Sequence, residues 1–260
     1  MTGFHRFATC SLLLSLLGLA CQPPAPTESA PSRPQIIFDT DMGPDYDDVG
    51  ALAMLHHLEA AGEIDLLATM ASNQHPAVAP TIDLINTYFG QPDLPLGVPA
   101  DSSAPNFVRE ENQWNERLNQ RYPFDLNGQG QPAPLLYRRL LSQATDSSVT
   151  VVTVGFVTNL ANLLRTGPDS LSPLDGQALV ARKVKRWVCM GGRYPEGKEF
   201  NLQVDADASA YAIENWPTEV IFSGGNIGPQ IQTGPRLVAE TDSTNPVHDA
   251  YKYCMATFFP

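Results

Sequence analysis

In Gln35-Ile36-Ile37-Phe38-Asp39-Thr40-Asp41-Met42-Gly43-Pro44-Asp45-Tyr46-Asp47-Asp48, a short apolar run gives way to a crowd of carboxylates and then to a helical pattern. Gln35 to Asp39 reads as a strand, Asp47 to Ala61 as a helix closed by Gly62, and Ile64 to Ser72 as the next strand. The alternation continues outward. Ala77 to Phe89 predicts a helix with Val78, Ile82, Ile85 and Phe89 on one face, stopped by Gly90. A brief strand at Leu96 to Val98 precedes a helix at Leu135 to Ala144, a β-branched strand at Val149 to Val154 and a helix start at Asn159 to Arg165. Strands at Val184 to Met190 and Glu219 to Ser223 flank a helix at Asp205 to Asn215. Strands separated by helices require crossovers, which are right-handed. The expected fold is therefore α/β: a doubly wound, mostly parallel open sheet with helices on both faces. Asp101 to Pro134, rich in Asn, Gln, Pro and Gly, fits neither period and is expected to be a long functional loop or lid.

The 260 residues carry 16 Lys plus Arg against 28 Asp plus Glu, a net charge of −12, which argues against nucleic acid as the main partner. With 43% hydrophobic and 17% charged residues, the chain has the apolar material for a packed core. His5 and Arg6 followed by an apolar run from Phe7 to Ala20 have signal-peptide architecture, too short and too interrupted for a membrane span. The expected organisation is a signal peptide over 1–20, a Pro-rich tether over 21–34 and one domain over 35–260. Cys21, after Gly18-Leu19-Ala20, resembles a bacterial lipoprotein lipidation site; ordinary cleavage after Ala20 is the alternative. The protein is thus expected to be exported, periplasmic or membrane-anchored in a bacterial envelope, and to meet the membrane only through that lipid anchor. Cys189, in an apolar run, reads as a buried core thiol that need not pair with Cys254.

Five aspartates within ten residues, where a strand hands over to a helix, stand beyond the carboxyl end of a strand, the side on which open parallel sheets bind ligands. Carboxylates at that density repel one another and raise each other's pKa unless a cation compensates them. Clustered Asp suits Ca²⁺, which takes about six to eight oxygen ligands, better than zinc. The plainer alternative, enrichment of a helix first turn in acid, covers only Asp47 and Asp48.

A strand followed by Asp-x-Asp resembles phosphohydrolases of the haloacid dehalogenase type, but those favour Thr or Val where Gly43 stands. Asp39-Thr40-Asp41-x-Gly43 with Asp47-Asp48 and Ala51-Leu52 is instead similar to the nucleoside hydrolase family of the inosine-uridine preferring type. Gly155-Phe156-Val157-Thr158-Asn159-Leu160-Ala161 resembles that family's Gly-Pro-Leu-Thr-Asn-x-Ala loop, and Glu199-Phe200-Asn201 its Glu-Phe-Asn segment. The resemblance implies hydrolysis of the N-glycosidic bond of nucleosides or related N-ribosides. It makes Asp41 the base towards a water on Ca²⁺, and Asp41, Asp48 and the Thr158 carbonyl the metal ligands. Asp47, Asn73, Glu199 and Asn201 would hold the sugar hydroxyls, with Asn201 also supporting the transition state. Asn73 as a turn cap and Thr158-Asn159 as a helix cap are the plainer readings.

Three departures from the family pattern stand out. Pro44 and Tyr46 lengthen the acidic loop by two residues, which leaves Asp45, like Asp39, without an assigned role. Arg193, Tyr194 and Lys198 stand where the family has small residues and an Asn. The family completes its metal site with a late Asp; Asp249, after His248, is one candidate, and a ligand beyond residue 260 in an incomplete domain is the other. A non-catalytic, calcium-dependent sugar- or nucleoside-binding lipoprotein is the rival function. The expected partner is a small nucleoside or N-glycoside; association into a homo-oligomer is left open.

Overall fold

The computed structural model describes residue 1 and residues 33–100, 104–108, 113–124, 126, 130–239 and 244–258. The leader, most of the tether and the Cys21 site lie outside them. Arg33 onward forms one compact unit. In chain order its elements are β1 (Gln35–Thr40), α1 (Asp47–Ala60), β2 (Asp65–Ala71), α2 (Val78–Tyr88), β3 (Leu96–Val98), α3 (Trp114–Arg121), β4 (Gln131–Pro132), α4 (Ala133–Gln143) and β5 (Val149–Thr153). They continue as α5 (Thr158–Leu164), α6 (Gly176–Lys183), β6 (Val184–Met190), α7 (Phe200–Val204), α8 (Ala206–Asn215), β7 (Glu219–Ser223), α9 (Pro235–Ala239) and α10 (Pro246–Phe258).

The seven strands form one sheet in the order β4-β3-β2-β1-β5-β6-β7, and every pair is parallel. The chain starts in the middle, winds outward through β2, β3 and β4, then returns to β5 on the other side of β1. The switch point is therefore the gap between β1 and β5, where ligand crevices open in this architecture.

Alternation along β1 divides the core. Ile37 points into a layer built from α4, α5, α6 and α8, with Leu136, Tyr137, Leu160, Leu179 and Ala212. Ile36 and Phe38 point into the opposite layer, with Val49 and Leu52 of α1, Ile82 and Ile85 of α2, Leu118 of α3 and Ala250 of α10. Cys189 and Cys254 are both buried, and neither is in a disulfide. Among the described residues no helix is long and apolar enough to cross a membrane.

The expected long loop over Asp101 to Pro134 is corrected. It contains α3, the two-residue β4 and the first turn of α4. Only Trp114, Asn115 and Leu118 of α3 are buried, too few to write a period into so polar a segment. The short helix α6, capped by the Asp175 carboxylate accepting from Ala178 N, also lies outside the sequence-derived elements.

Candidate active site

The carboxyl end of β1 sends two aspartates in different directions. Asp39 is buried against the α4–α5 layer, where its Oδ2 accepts from Tyr137 Oη at 2.9 Å and from Asn159 Nδ2 at 3.2 Å. Burial raises its pKa to about 7, against the opposing pull of those hydrogen bonds. Asn159 also donates to the Ala71 carbonyl, so Asp39 and Asn159 tie β1, β2 and α5 together.

Asp41 is 2% exposed, and its Oδ2 has no hydrogen-bond partner among the described residues. An orphaned buried acceptor is costly and invites a ligand. Burial lifts its pKa well above the usual carboxylate range, and the charges of Asp47, Asp39 and Glu199 push the same way. Gly155, just past β5, explains how two strand ends approach so closely here. A Cβ on it would meet Asp41 N at 2.3 Å, so no larger residue fits.

Asp48, in the first turn of α1, is buried and accepts from Thr40 Oγ1 at 2.8 Å. Its pKa is pushed far up by burial and by Asp41, Asp47 and Asp45. One carboxylate oxygen each of Asp45, Asp47 and Asp48 lie within 4.8 Å of one another, a spacing that a single cation with Ca²⁺-like bond lengths of about 2.3–2.6 Å can span. The acidic loop thus brings Asp45 beside Asp48. This all-oxygen donor set fits a hard divalent cation, and Asp41, which acts on Asp48 through its charge, lies outside the three-carboxylate group.

The remaining motif residues surround Asp41. Asn73, just past β2, donates to the Asp41 carbonyl at 3.1 Å and clamps Phe107 at both backbone groups, donating to its carbonyl at 2.5 Å and accepting from its N–H at 3.1 Å. Phe107 in turn meets Phe200 edge-on with ring centroids 5.1 Å apart. Glu199 caps α7 by accepting from Asn201 N and Leu202 N. Asn201 donates to the Val154 carbonyl at 2.9 Å, joining the ends of β5 and β6. Thr158 opens α5, and its hydroxyl donates to Asp205 Oδ2 at 2.5 Å. A cavity of about 320 Å³ opens beside Asn73, lined also by Gln74, His75, Val98 and Pro99.

Asp249 is occupied differently. Its Oδ2 accepts from Tyr122 Oη at 2.5 Å and from Arg121 Nη1 at 2.9 Å, and its Oδ1 lies 3.3 Å from His248 Nδ1. The carboxylate serves the junction of α3 with α10. Sequence reasoning missed Phe107, Tyr137, Trp114 and Asn115. None sits in a motif, and each reaches the site from a distant part of the chain.

A family model described as inosine-uridine preferring nucleoside hydrolase matches residues 36–259. Several solved structures share the fold. A plant nucleoside hydrolase is 21% identical, with 87% of this chain and 72% of that one covered and a TM-score of 0.64. The inosine-uridine preferring nucleoside hydrolase from Bacillus anthracis is 17% identical, with 87% and 77% covered and a TM-score of 0.65. A purine-preferring ribonucleoside hydrolase from Gardnerella vaginalis is 16% identical, with 86% and 72% covered and a TM-score of 0.66. No curated protein sequence matches the chain.

Proposed function

Because the chain belongs to the inosine-uridine preferring nucleoside hydrolase family, it is a hydrolase of N-glycosyl compounds, and we propose that it cleaves ribonucleosides or related N-ribosides to ribose and free base. The observation that carries this reading is the unpartnered, buried Oδ2 of Asp41 at the switch point of the sheet. Burial and neighbouring charge favour its protonated form, so the ionised carboxylate is a ready proton acceptor. As the bond between the anomeric carbon and the base nitrogen breaks, the base leaves with the electron pair and takes up a proton from solvent. The sugar becomes oxocarbenium-like, a cation that the surrounding carboxylates stabilise. Water forms the new carbon–oxygen bond and gives its proton to Asp41 Oδ2.

Asp47, Asn73, Glu199 and Asn201 are assigned to the sugar hydroxyls, and the cavity beside Asn73 to the base. Asp48 with Asp45 and Asp47 beside it, joined by Asp41 and the Thr158 carbonyl as the family resemblance implies, would hold a divalent cation, proposed to be Ca²⁺. Such an ion supplies the positive charge that acidifies an attacking water. Export to the bacterial envelope, with Cys21 lipidated, is part of the same proposal and rests on the apolar run Phe7 to Ala20. Intact mass of the mature N-terminus tests it.

The reaction is tested by chromatography of products after incubation with a nucleoside panel, with Ca²⁺ and with a chelator. Free base and ribose should appear from at least one nucleoside, and faster with Ca²⁺. Tight nucleoside binding with no release of base would instead identify a binding protein.

A further inference from the structure

The acidic loop is held from three sides, and its last two attachments come from a helix that the reaction does not otherwise use. Four backbone polar groups between Asp41 and Gly43 are each tied by a side chain. Asn73 Nδ2 donates to the Asp41 carbonyl at 3.1 Å, and Met42 N donates to Thr40 Oγ1 at 3.1 Å. Asn115 Nδ2 donates to the Met42 carbonyl at 2.8 Å, and Trp114 Nε1 to the Gly43 carbonyl at 3.2 Å. Met42 sits at a φ of +21°, a left-handed backbone that a non-glycine residue keeps only where its surroundings over-determine it. Trp114 and Asn115 are each 1% exposed, so both bonds are made out of water. Asn115 is anchored in turn by donating to Thr81 Oγ1 of α2 at 3.1 Å.

Resting on the nucleoside hydrolase reading above, we infer that Trp114 and Asn115 are positioning residues of the reaction. They act through the Met42 and Gly43 carbonyls to hold Asp41 and the Asp45–Asp48 carboxylates in working register. The same helix ends at Arg121, whose bond to Asp249 fastens it to α10. The pull on the acidic loop therefore comes from a strut braced at both ends.

A matched control separates positioning from stability. Asn119, one turn along α3, makes the same kind of link to α2, donating to the Ala77 carbonyl at 2.9 Å and accepting from Thr81 Oγ1 at 3.2 Å, with no hydrogen bond to the acidic loop among the described residues. The experiment compares wild type, Asn115→Leu, Trp114→Phe and Asn119→Leu by kcat, KM, melting temperature and affinity for Tb³⁺, a calcium probe whose luminescence Tyr46 can sensitise.

Asn115→Leu should lower kcat about 10- to 100-fold with KM within about threefold, because misplacement of a catalytic array by an ångström costs on that order. It should also weaken Tb³⁺ binding. Trp114→Phe, which keeps the ring and loses only the N–H, should move both in the same direction by less, and it carries the test should Asn115→Leu not fold. Asn119→Leu should lower the melting temperature while leaving kcat and Tb³⁺ affinity at wild-type values. Unchanged kcat and Tb³⁺ binding in Asn115→Leu and Trp114→Phe, or equal losses in Asn119→Leu, would overturn the inference. Wild type that binds Tb³⁺ and hydrolyses no nucleoside sinks the functional reading instead, and the Tb³⁺ comparison then still judges the strut. Wild type that does neither removes both.

Discussion

Asp39 and Asp41 are two residues apart at the carboxyl end of β1, and the fold gives them opposite tasks. Asp39 is spent on Tyr137 and Asn159, whereas Asp41 keeps an oxygen that nothing in the described protein satisfies. Asp41→Asn should therefore keep the melting temperature near that of the wild type, because it removes a charge whose burial is unfavourable. It should lose about 10²- to 10⁴-fold in kcat, the usual range for a positioned proton acceptor. Steady-state kinetics on the best nucleoside, beside a thermal melt, checks this; wild-type turnover would move the base elsewhere, with Asp45 next to test. The acidic motif and its place at a strand end were legible in the sequence. Which aspartate is committed to structure was not, because the partners of Asp39 lie 98 and 120 residues further along the chain. Asp249 shows the same limit. A His-Asp pair late in the chain suggested a metal ligand, and only the packing of α3 against α10 shows its carboxylate bound to Arg121 and Tyr122.

Elements with a full hydrophobic period were readable to within a residue or two. Leu96–Val98, Val184–Met190 and Glu219–Ser223 fall where the sequence put them, because each holds apolar or β-branched residues; Glu219–Ser223 keeps that signature at the sheet edge with none of its residues buried. α3 was hidden because its burial is earned by tertiary contacts of a few residues rather than by a stripe. The connection between α5 and α6 is likewise set by one distant side chain. Arg138 of α4, 2% exposed, makes a two-pronged pair with Asp169 at 2.7 and 2.9 Å and donates to the Ser172 and Leu174 carbonyls and to Thr166 Oγ1. Arg138→Met should destabilise by about 1–3 kcal/mol, since the buried Ser172 carbonyl and its neighbours lose their donor; a urea titration reads it directly. The guanidinium holds the Asp169 carboxyl well below the usual carboxylate range. A depressed folded-state pKa gives stability that is present above the unfolded value of 3.8 and lost as pH falls through the folded one. Wild type should therefore lose stability below about pH 4 along a limb that is shallower in Arg138→Met. Parallel acid limbs in the two proteins would mean that the pair contributes nothing to acid sensitivity.

At the scale of the molecule, the doubly wound order concentrates negative charge where the fold is least able to neutralise it. The chain has a net charge of −12, and both Asp41 and Asp48 are buried at the mouth of one crevice with Asp45 and Asp47 above them. Burial raises the pKa of both, Asp41 raises that of Asp48 further and Asp47 acts on both, so the metal-free protein either holds protons there or bears their repulsion. A cation that binds the folded site and not the unfolded chain must then stabilise the whole domain, by about 2.7 kcal/mol at a free concentration one hundred times its dissociation constant. For a domain of this size that corresponds to roughly 5–10 °C in melting temperature. Calcium titrated into chelator-treated protein should raise the melting temperature by that order. The rise should largely vanish in Asp48→Ala, which removes the most buried of the three clustered carboxylates. Magnesium should do less, because it demands near-octahedral geometry at shorter bonds and gives up its waters reluctantly. A wild-type melting temperature unchanged across the calcium titration would remove the metal site and leave the cluster's repulsion to be met by protonation alone.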